Sequence, residues 1–219
     1  STVDLGSDAD LFQLNANASA SSIFGGDGND TMVFASAAVL SNTTVFAGSG
    51  ADSLSFVNAL TTAYVNAQDG NDSVVLASSM QGGYISLDQG SDLAIFNGSL
   101  TSAAVRGGSG GDTLMLSAGV TVSTIDAGAD NDSIRLISTL VSSTVLAGAG
   151  NDSVVILTSV DAGNLISLDD GNDSIQFSSV GLGAASLYGG AGNDTLLLTA
   201  GISGATVDAG VGDDSITIS

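Results

Sequence analysis

Apolar residues occur along this 219-residue chain in short bursts with an interval of two, and the bursts return about every 20 residues. Each period carries one Asp in a glycine-rich turn, at Asp10, Asp30, Asp52, Asp72, Asp92, Asp112, Asp132, Asp152, Asp173, Asp194 and Asp214. Counting from that Asp as position 0, position −7 is aliphatic in all 11 copies, from Val3 and Ile23 to Leu187 and Val207. Position +2 runs from Phe12 and Met32 to Leu196 and Ile216, and +4 from Leu14 and Phe34 to Leu198 and Ile218. An interval of two is the strand period, so −7/−5 and +2/+4 are predicted to point inward from two short strands flanking the turn. Position −5 is Gly, Ala or Leu, which suits a narrow interior. A third apolar point near +8 (Leu60, Met80, Leu100, Val120, Leu140, Val160, Ile202) closes the far side.

One repeat therefore reads as one coil: strand, Gly-rich Asp turn, strand, then a loop of Ser, Thr, Ala and Asn. A fixed period of this length predicts a solenoid. The expected fold is all-β, a right-handed parallel β-solenoid or β-roll of 11 coils, a single repeat domain over 1–219. At about 4.8 Å per coil it is a rod about 50 Å long with two parallel sheets face to face. No segment of ten or more residues has helical periodicity without Gly or Asp interruption. The step from Asp30 to Asp52 is 22 residues, and those to Asp173 and Asp194 are 21 each. A slip inside a strand would turn its apolar set outward, so the extra residues belong in the far loop, the first pair within 35–42. The far loop is thus the unconstrained edge and the Asp turn the constrained one. Neither end of the pattern is an atypical polar repeat, which predicts a fragment of a longer array or end-to-end stacking.

Composition sharpens this picture. All 23 acidic residues are Asp, the only basic residues are Arg106 and Arg135, and net charge is −21 in a chain that is 43% hydrophobic. A disordered acidic chain would be poor in Val, Ile and Leu; this one is not, so its charge is localised and awaits neutralisation. About ten divalent ions between stacked turns would bring the formal charge close to zero. Two Arg cannot neutralise a phosphate track, which excludes nucleic acid as a partner. The apolar runs are far too short for a membrane span. The lack of Lys and Glu leans toward an extracellular setting.

The turn carries the candidate chemistry. Gly at −4 and −2 admits positive φ, which frees carbonyls to converge. At −4 these are Gly26, Gly48, Gly108, Gly128, Gly148, Gly190 and Gly210, and at −2 Gly28, Gly50, Gly70, Gly90, Gly110, Gly150, Gly171, Gly192 and Gly212. The Asp at 0 adds a carboxylate, so the set is hard oxygen ligands of mixed charge, which suits Ca²⁺. Soft metals would want His or Cys, and neither is present. Turn propensity alone does not require an acid in all 11 copies, and carboxylates about 4.8 Å apart without counter-ions repel strongly.

The turns Gly25 to Val33, Gly107 to Met115 and Gly189 to Leu197 match the nonapeptide G-G-x-G-x-D-x-U-x at every fixed position. The chain resembles the RTX family, whose calcium-binding β-helix repeat this is. The resemblance implies a parallel β-roll with ions held between successive turns, secretion from Gram-negative bacteria through a one-step exporter, and folding on meeting external calcium. It differs from the usual β-roll in having one nonapeptide per coil, so ions are expected on one edge only. Gly at −4 is replaced by Gln68, Asp88 and Asp169, and Gly at −2 by Asp8 and Asp130. Asp tolerates left-handed backbone, so those turns are expected to survive, with Gln68 and Asp8 marking the weakest sites.

The remaining surface points to assembly. Outward position +3 forms an apolar stripe (Val33, Val75, Ile95, Met115, Val155, Leu197) suited to lateral packing. On the other sheet Phe24 lies above Phe46, and Tyr64 above Tyr84. No regular Thr rank occupies −3, which argues against an ice-binding array, and Asn stands at −1 in only six copies. No His, Cys, Lys or Glu exists to be tuned for acid-base or nucleophilic work, so an enzyme is not expected. The paired acids Asp169/Asp170 and Asp213/Asp214 have a simpler reading as calcium ligands. The expected role is a calcium-dependent structural repeat of the bacterial extracellular surface (S-layer, filament, matrix or adhesin stalk), self-assembling or continuing into flanking repeats. The alternative is a ligand-binding adhesin module for glycan or ice.

Overall fold

The computed structural model describes residues 1–35, 38–178, 181–199 and 201–219. Two 11-stranded parallel sheets run the length of the rod. The first is built from six-residue strands leading into each turn, from Thr2–Ser7 to Thr206–Val211. The second is built from the four-residue strands leaving it, from Leu11–Leu14 to Ser215–Ile218. Each strand pairs with its counterpart one coil on, in the register that the sequence period demands: Val105 with Ile125, Leu114 with Ile134. No helix occurs among the described residues.

Apolar periodicity places the core as expected. Ile85, Leu87, Ala94 and Phe96 are fully buried, and so are their counterparts through the middle coils. Phe34 and Phe56 stack inside the rod with ring centroids 4.7 Å apart. A fully buried Leu or Phe contributes about 1.5–3 kcal/mol, but one coil alone cannot bury its inward residues. Stability therefore comes from the contact of each coil with the next.

The far side is more regular than a plain loop. Seven two-residue strands, from Ala18–Ser19 to Leu140–Val141, form a third parallel sheet, so the coil has three walls. Isolated bridges from Leu140 to Val160, Leu182 and Ile202 continue this corner along the rod. Between these coils the chain turns through left-handed backbone at Ala20, Asn42, Thr62, Ser102, Val122 and Ser142, with φ of 47–51°.

Register also locates the extra residues. Leu14 pairs with Phe34, 20 residues on, whereas Ala18 pairs with Leu40, 22 on. The two additions therefore lie between Phe34 and Leu40, a stretch that includes the undescribed 36 and 37. The later additions fall between Val160 and Leu165, and between Phe177 and Leu182, where 179 and 180 lie outside the described residues. All three sit on the far side, away from the Asp turn.

Candidate metal centre

The first strand of each coil ends in backbone that few L-residues adopt. At −4 and −2 every residue has positive φ, including the five positions without glycine: Asp8 (82°), Gln68 (78°), Asp88 (71°), Asp130 (77°) and Asp169 (68°). The turn survives there because these side chains take the ordinary left-handed well, whereas the glycines open further, to 143° at Gly70. The wider angle has a steric cause. A Cβ on Gly70 would stand 1.7 Å from the Gly50 carbonyl oxygen, which points across the coil step at the next turn.

Two of the replaced glycines come with a partner. Ser86 donates a short hydrogen bond to Asp88, and Ser167 does the same to Asp169 (2.5 Å). The sequence reading missed this coupling, although the repeated Ile-Ser-Leu-Asp (Ile85 to Asp88, Ile166 to Asp169) carried it.

The motif aspartates form one buried column. The backbone N–H of each donates to Oδ1 of the Asp one coil on, from Asp10 to Asp30 (2.8 Å) through Asp112 to Asp132 (2.7 Å) to Asp194 to Asp214 (2.9 Å). Beside it runs a second column with the opposite sense, which the sequence reading only counted. Each of the six Asn at −1 accepts at Oδ1 from the −1 N–H one coil on, as Asn131 does from Asn151 (2.6 Å) and Asn172 from Asn193 (2.7 Å). Asp reaches back one coil and Asn reaches forward, so the two rows clasp the turns together.

This bonding leaves oxygen to spare. Oδ2 of Asp10, Asp30, Asp52, Asp72, Asp92, Asp112, Asp132, Asp152, Asp173 and Asp194 is buried with no hydrogen-bond partner. An unsatisfied buried carboxylate oxygen is costly. Carbonyls at −3 and 0 are already used, as Asp69 accepts from Gly50 N–H (2.8 Å) and Asp52 from Ser73 N–H (2.8 Å). The −2 carbonyls, Gly28, Gly50 and Gly70 among them, accept no backbone hydrogen bond among the described residues. At the perfect copies oxygens also converge beside the first glycine. A Cβ on Gly107 would lie 2.1 Å from the Ala127 carbonyl oxygen and 2.4 Å from Asp112 Oδ2, and Gly25 and Gly189 face the same pair of groups.

Burial pushes eight of the column's acids up. It takes Asp72, Asp112, Asp132 and Asp173 to about 7 and Asp92 to about 6, and raises Asp52, Asp152 and Asp194. The hydrogen bond from the preceding Asp N–H acts the other way without cancelling it, and neighbouring carboxylates add repulsion. A row of desolvated, mutually repelling acids with orphaned oxygens is what a bound cation would relieve. Among the described residues no three acidic side chains converge. A cation here would take one carboxylate per turn and complete its shell from backbone oxygens. That donor set fits Ca²⁺, which accepts 6–8 oxygens in flexible geometry.

The structure brings the motif Asp and the −4 and −2 glycines together on one edge. The far corner holds no such row of acids. It carries buried Thr43, Ser123, Ser143 and Asn164, all hydrogen-bonded within the chain. Among the described residues, the one buried side-chain oxygen or nitrogen outside the Asp column without a partner is Oδ1 of Asn66, on the first sheet between Phe46 and Ser86. The outer aromatics stack as expected, Phe24 on Phe46 at 5.2 Å and Tyr64 on Tyr84 at 5.6 Å, with Phe46 and Tyr64 linking the pairs at 5.8 Å. Stacking occupies ring faces that a sugar would otherwise cover.

Comparison with known proteins agrees with this geometry. Residues 13–36 and 181–204 match the family model "RTX calcium-binding nonapeptide repeat (4 copies)". No curated protein matches the chain. Among solved structures, a hyperactive, Ca²⁺-dependent, β-helical antifreeze protein from an Antarctic bacterium is similar in fold, with a TM-score of 0.64 and 18% identity over 97% of this chain and 80% of that one. HetL, a pentapeptide-repeat protein from the cyanobacterium Nostoc sp. strain PCC 7120, aligns at a TM-score of 0.25 and 13% identity, over 93% of this chain and 88% of that one. That likeness is too distant to carry an argument. With the motif, the two matched segments and the coil geometry in hand, the chain is a parallel β-solenoid whose turns are similar to RTX calcium-binding nonapeptide repeats.

Proposed function

We propose that the chain is a calcium-dependent structural repeat of the bacterial extracellular surface, a stalk, filament, matrix or S-layer element. The observation that carries this reading is the row of ten buried Oδ2 atoms without partners. About ten Ca²⁺ ions on one edge, each between successive turns, satisfy them and offset most of the net charge of −21. The ligands are the motif Asp at 0 with backbone oxygens of the flanking glycines. Folding is then coupled to external calcium, because the ion site does not exist in the unfolded chain. The rod has a structural role and no catalytic one, and it associates laterally. The +3 stripe (Val33, Val75, Ile95, Met115, Val155, Leu197) lies on the outer face of the second sheet, half-buried by its own neighbours.

The second reading is a ligand-binding module, for which the antifreeze neighbour is the supporting observation. Against it stands position −3, which mixes Ser, Asp, Gln, Ala and Val with no regular rank. The test is circular dichroism and light scattering across a calcium titration, with thermal hysteresis measured on the same sample. Cooperative gain of β signal followed by association supports the structural reading. Thermal hysteresis from a calcium-loaded monomer would replace it with the second.

A further inference from the structure

The outer face of the second sheet differs from the rest of this molecule. The chain has 23 Asp, yet none lies in the 11 strands of that sheet, from Leu11–Leu14 to Ser215–Ile218. Its one charged residue is Arg135. The outward residues are two columns. Position +1 is Ser or Thr in nine of 11 coils, Leu11 and Leu93 being the exceptions, and +3 is the aliphatic stripe. Exposed Val57 and Ile137 extend the apolar surface at +5. Eleven of the 23 Asp are fixed in the turns, and the far side is nearly as free of acid, with Asp161 alone, but this face adds an aliphatic column.

From this face we infer that two copies of the chain pair through it as antiparallel rods, related by a two-fold axis that passes at Met115 and runs along the strands. The inference rests on the assembly reading above and names its partner and register.

Three arguments support it. The first is charge. Two rods this acidic repel unless their acids are kept apart, and of the coil's two nearly acid-free walls, this one and the far side, this is the one with the aliphatic column. Face-to-face packing at about 10 Å puts each copy's first-sheet acids a further sheet thickness away, beyond the Debye length of about 8 Å in physiological salt. The second is area. The face is about 50 Å long and, from +1 to +5, about 16 Å wide. The resulting area of about 800 Å² is what each partner gives up in a stable interface.

The third is register. A two-fold axis along the strands places +1 against +1 and +3 against +3 while reversing coil order, and an isologous interface must then be self-complementary. About Met115 the +3 column meets this. Val75 (paired with Ile95 and Ser55 in its own sheet) faces the partner copy's equivalent of Val155, Val33 faces Leu197, and Ser55 faces Gln176. The +1 column agrees at three of its five pairs, with Thr31 facing Thr195, Ser53 facing Ser174 and Ser73 facing Ser153, while Leu93 and Leu11 face Ser133 and Ser215. Arg135 falls opposite Ile95, along which its stem can lie while the guanidinium reaches solvent. Parallel pairing would set Arg135 against its own copy, a like-charge contact that disfavours that alternative.

The chain has no cysteine, so single substitutions give unique handles. Val75→Cys, Val155→Cys and Met115→Cys are made in the full chain, checked for calcium-dependent β signal, and treated with a short bis-maleimide in millimolar calcium. Met115→Cys should cross-link with itself. Val75→Cys and Val155→Cys should cross-link when mixed and fail to do so alone, since each is about 19 Å from its own copy. Efficient cross-linking of Val75→Cys with itself would overturn the antiparallel register. Association by light scattering with no cross-link at any of the three positions would place the interface elsewhere and overturn this inference alone. A monomer at every calcium concentration would overturn it together with the assembly reading. Ile95→Asp with Met115→Asp should keep the calcium-dependent fold and raise the dimer dissociation constant at least tenfold.

Discussion

The coil has two polar corners, and they differ in whether they are complete. At the far corner Ser143 accepts from Ser123 N–H (3.1 Å) and donates to Val141 (2.8 Å). Asn164 accepts from Ser143 N–H (2.9 Å) and donates to Leu140 (2.9 Å). Among the described residues, every buried polar side-chain atom there has a partner within the chain. At the turn corner the Asp column is bonded equally well through Oδ1, yet one oxygen per coil is left over in a buried position. The lesson is that the same device, a side-chain ladder running from coil to coil, closes a corner when built from hydroxyl and amide groups. Built from carboxylates it leaves the corner waiting for a cation. On the proposed reading, calcium dependence belongs to one edge of the rod and not to the solenoid as such.

The most severe way to break this comparison is to remove the ion. Chelation should abolish most of the far-ultraviolet β signal at neutral pH, because the full far corner cannot hold ten unsatisfied, repelling carboxylates. A chain that keeps its β signal in chelator would mean that the turn corner is as self-sufficient as the far one.

Glycine substitutions sharpen the contrast next. Gly108 has φ of 128°, and a Cβ there would lie 2.0 Å from the Asp88 carbonyl oxygen. Gly108→Ala should cost about 3 kcal/mol and raise the calcium midpoint of folding. Gly82, at the far corner, has φ of 65°, and a Cβ there would meet only the Thr62 methyl closely, at 3.3 Å, where a small shift relieves the contact. Gly82→Ala should cost about 1 kcal/mol and leave the calcium midpoint nearly unchanged. Chemical denaturation of both variants at saturating calcium measures the difference.

Acidity probes the turn corner alone. Burial raises Asp72 and Asp112 from 3.8 to about 7 and Asp92 to about 6 in the folded chain. A raised carboxyl binds more protons folded than unfolded. It therefore favours the calcium-free fold fully below 3.8, and that contribution is lost as pH rises through about 7. The unfolded chain, with carboxyls at 3.8, binds almost no protons at pH 5.5, so in chelator more β signal should remain at pH 5.5 than at pH 7.5. Calcium-free circular dichroism at the two pH values decides this, and equal signal at both would argue against a buried carboxylate column. The smallest effect belongs to the far corner. Ser143→Ala orphans the Ser123 N–H and should cost about 1–2 kcal/mol at any calcium concentration that supports the fold.

Much of this molecule was legible in its sequence because one-dimensional stacking turns period into register. The apolar residues at −7, +2 and +4 placed two sheets. The 22-residue step placed an insertion on the far side, because a strand cannot absorb it. The four Asp at glycine positions of the turn read correctly as left-handed, and Gln68 shares their backbone. The third sheet was not legible, since its two-residue strands carry no period of their own. Nor was the left-handed far-side column, where Ala20, Asn42, Thr62, Ser102 and even β-branched Val122 share one backbone conformation without a compositional signal. The Asn row at −1 was visible as a count of six, but its direction, opposite to that of Asp, exists only in three dimensions.

The central claim is that cations line one edge, one between each pair of successive turns. Equilibrium dialysis of the folded chain with metal quantification tests it most directly. The account predicts about ten tightly held calcium ions per chain, and the loss of one or two in Asp112→Ala, whose turn borders two coil steps. About twenty ions would show that the far corner also binds metal. A folded chain with one ion or none would contradict the account.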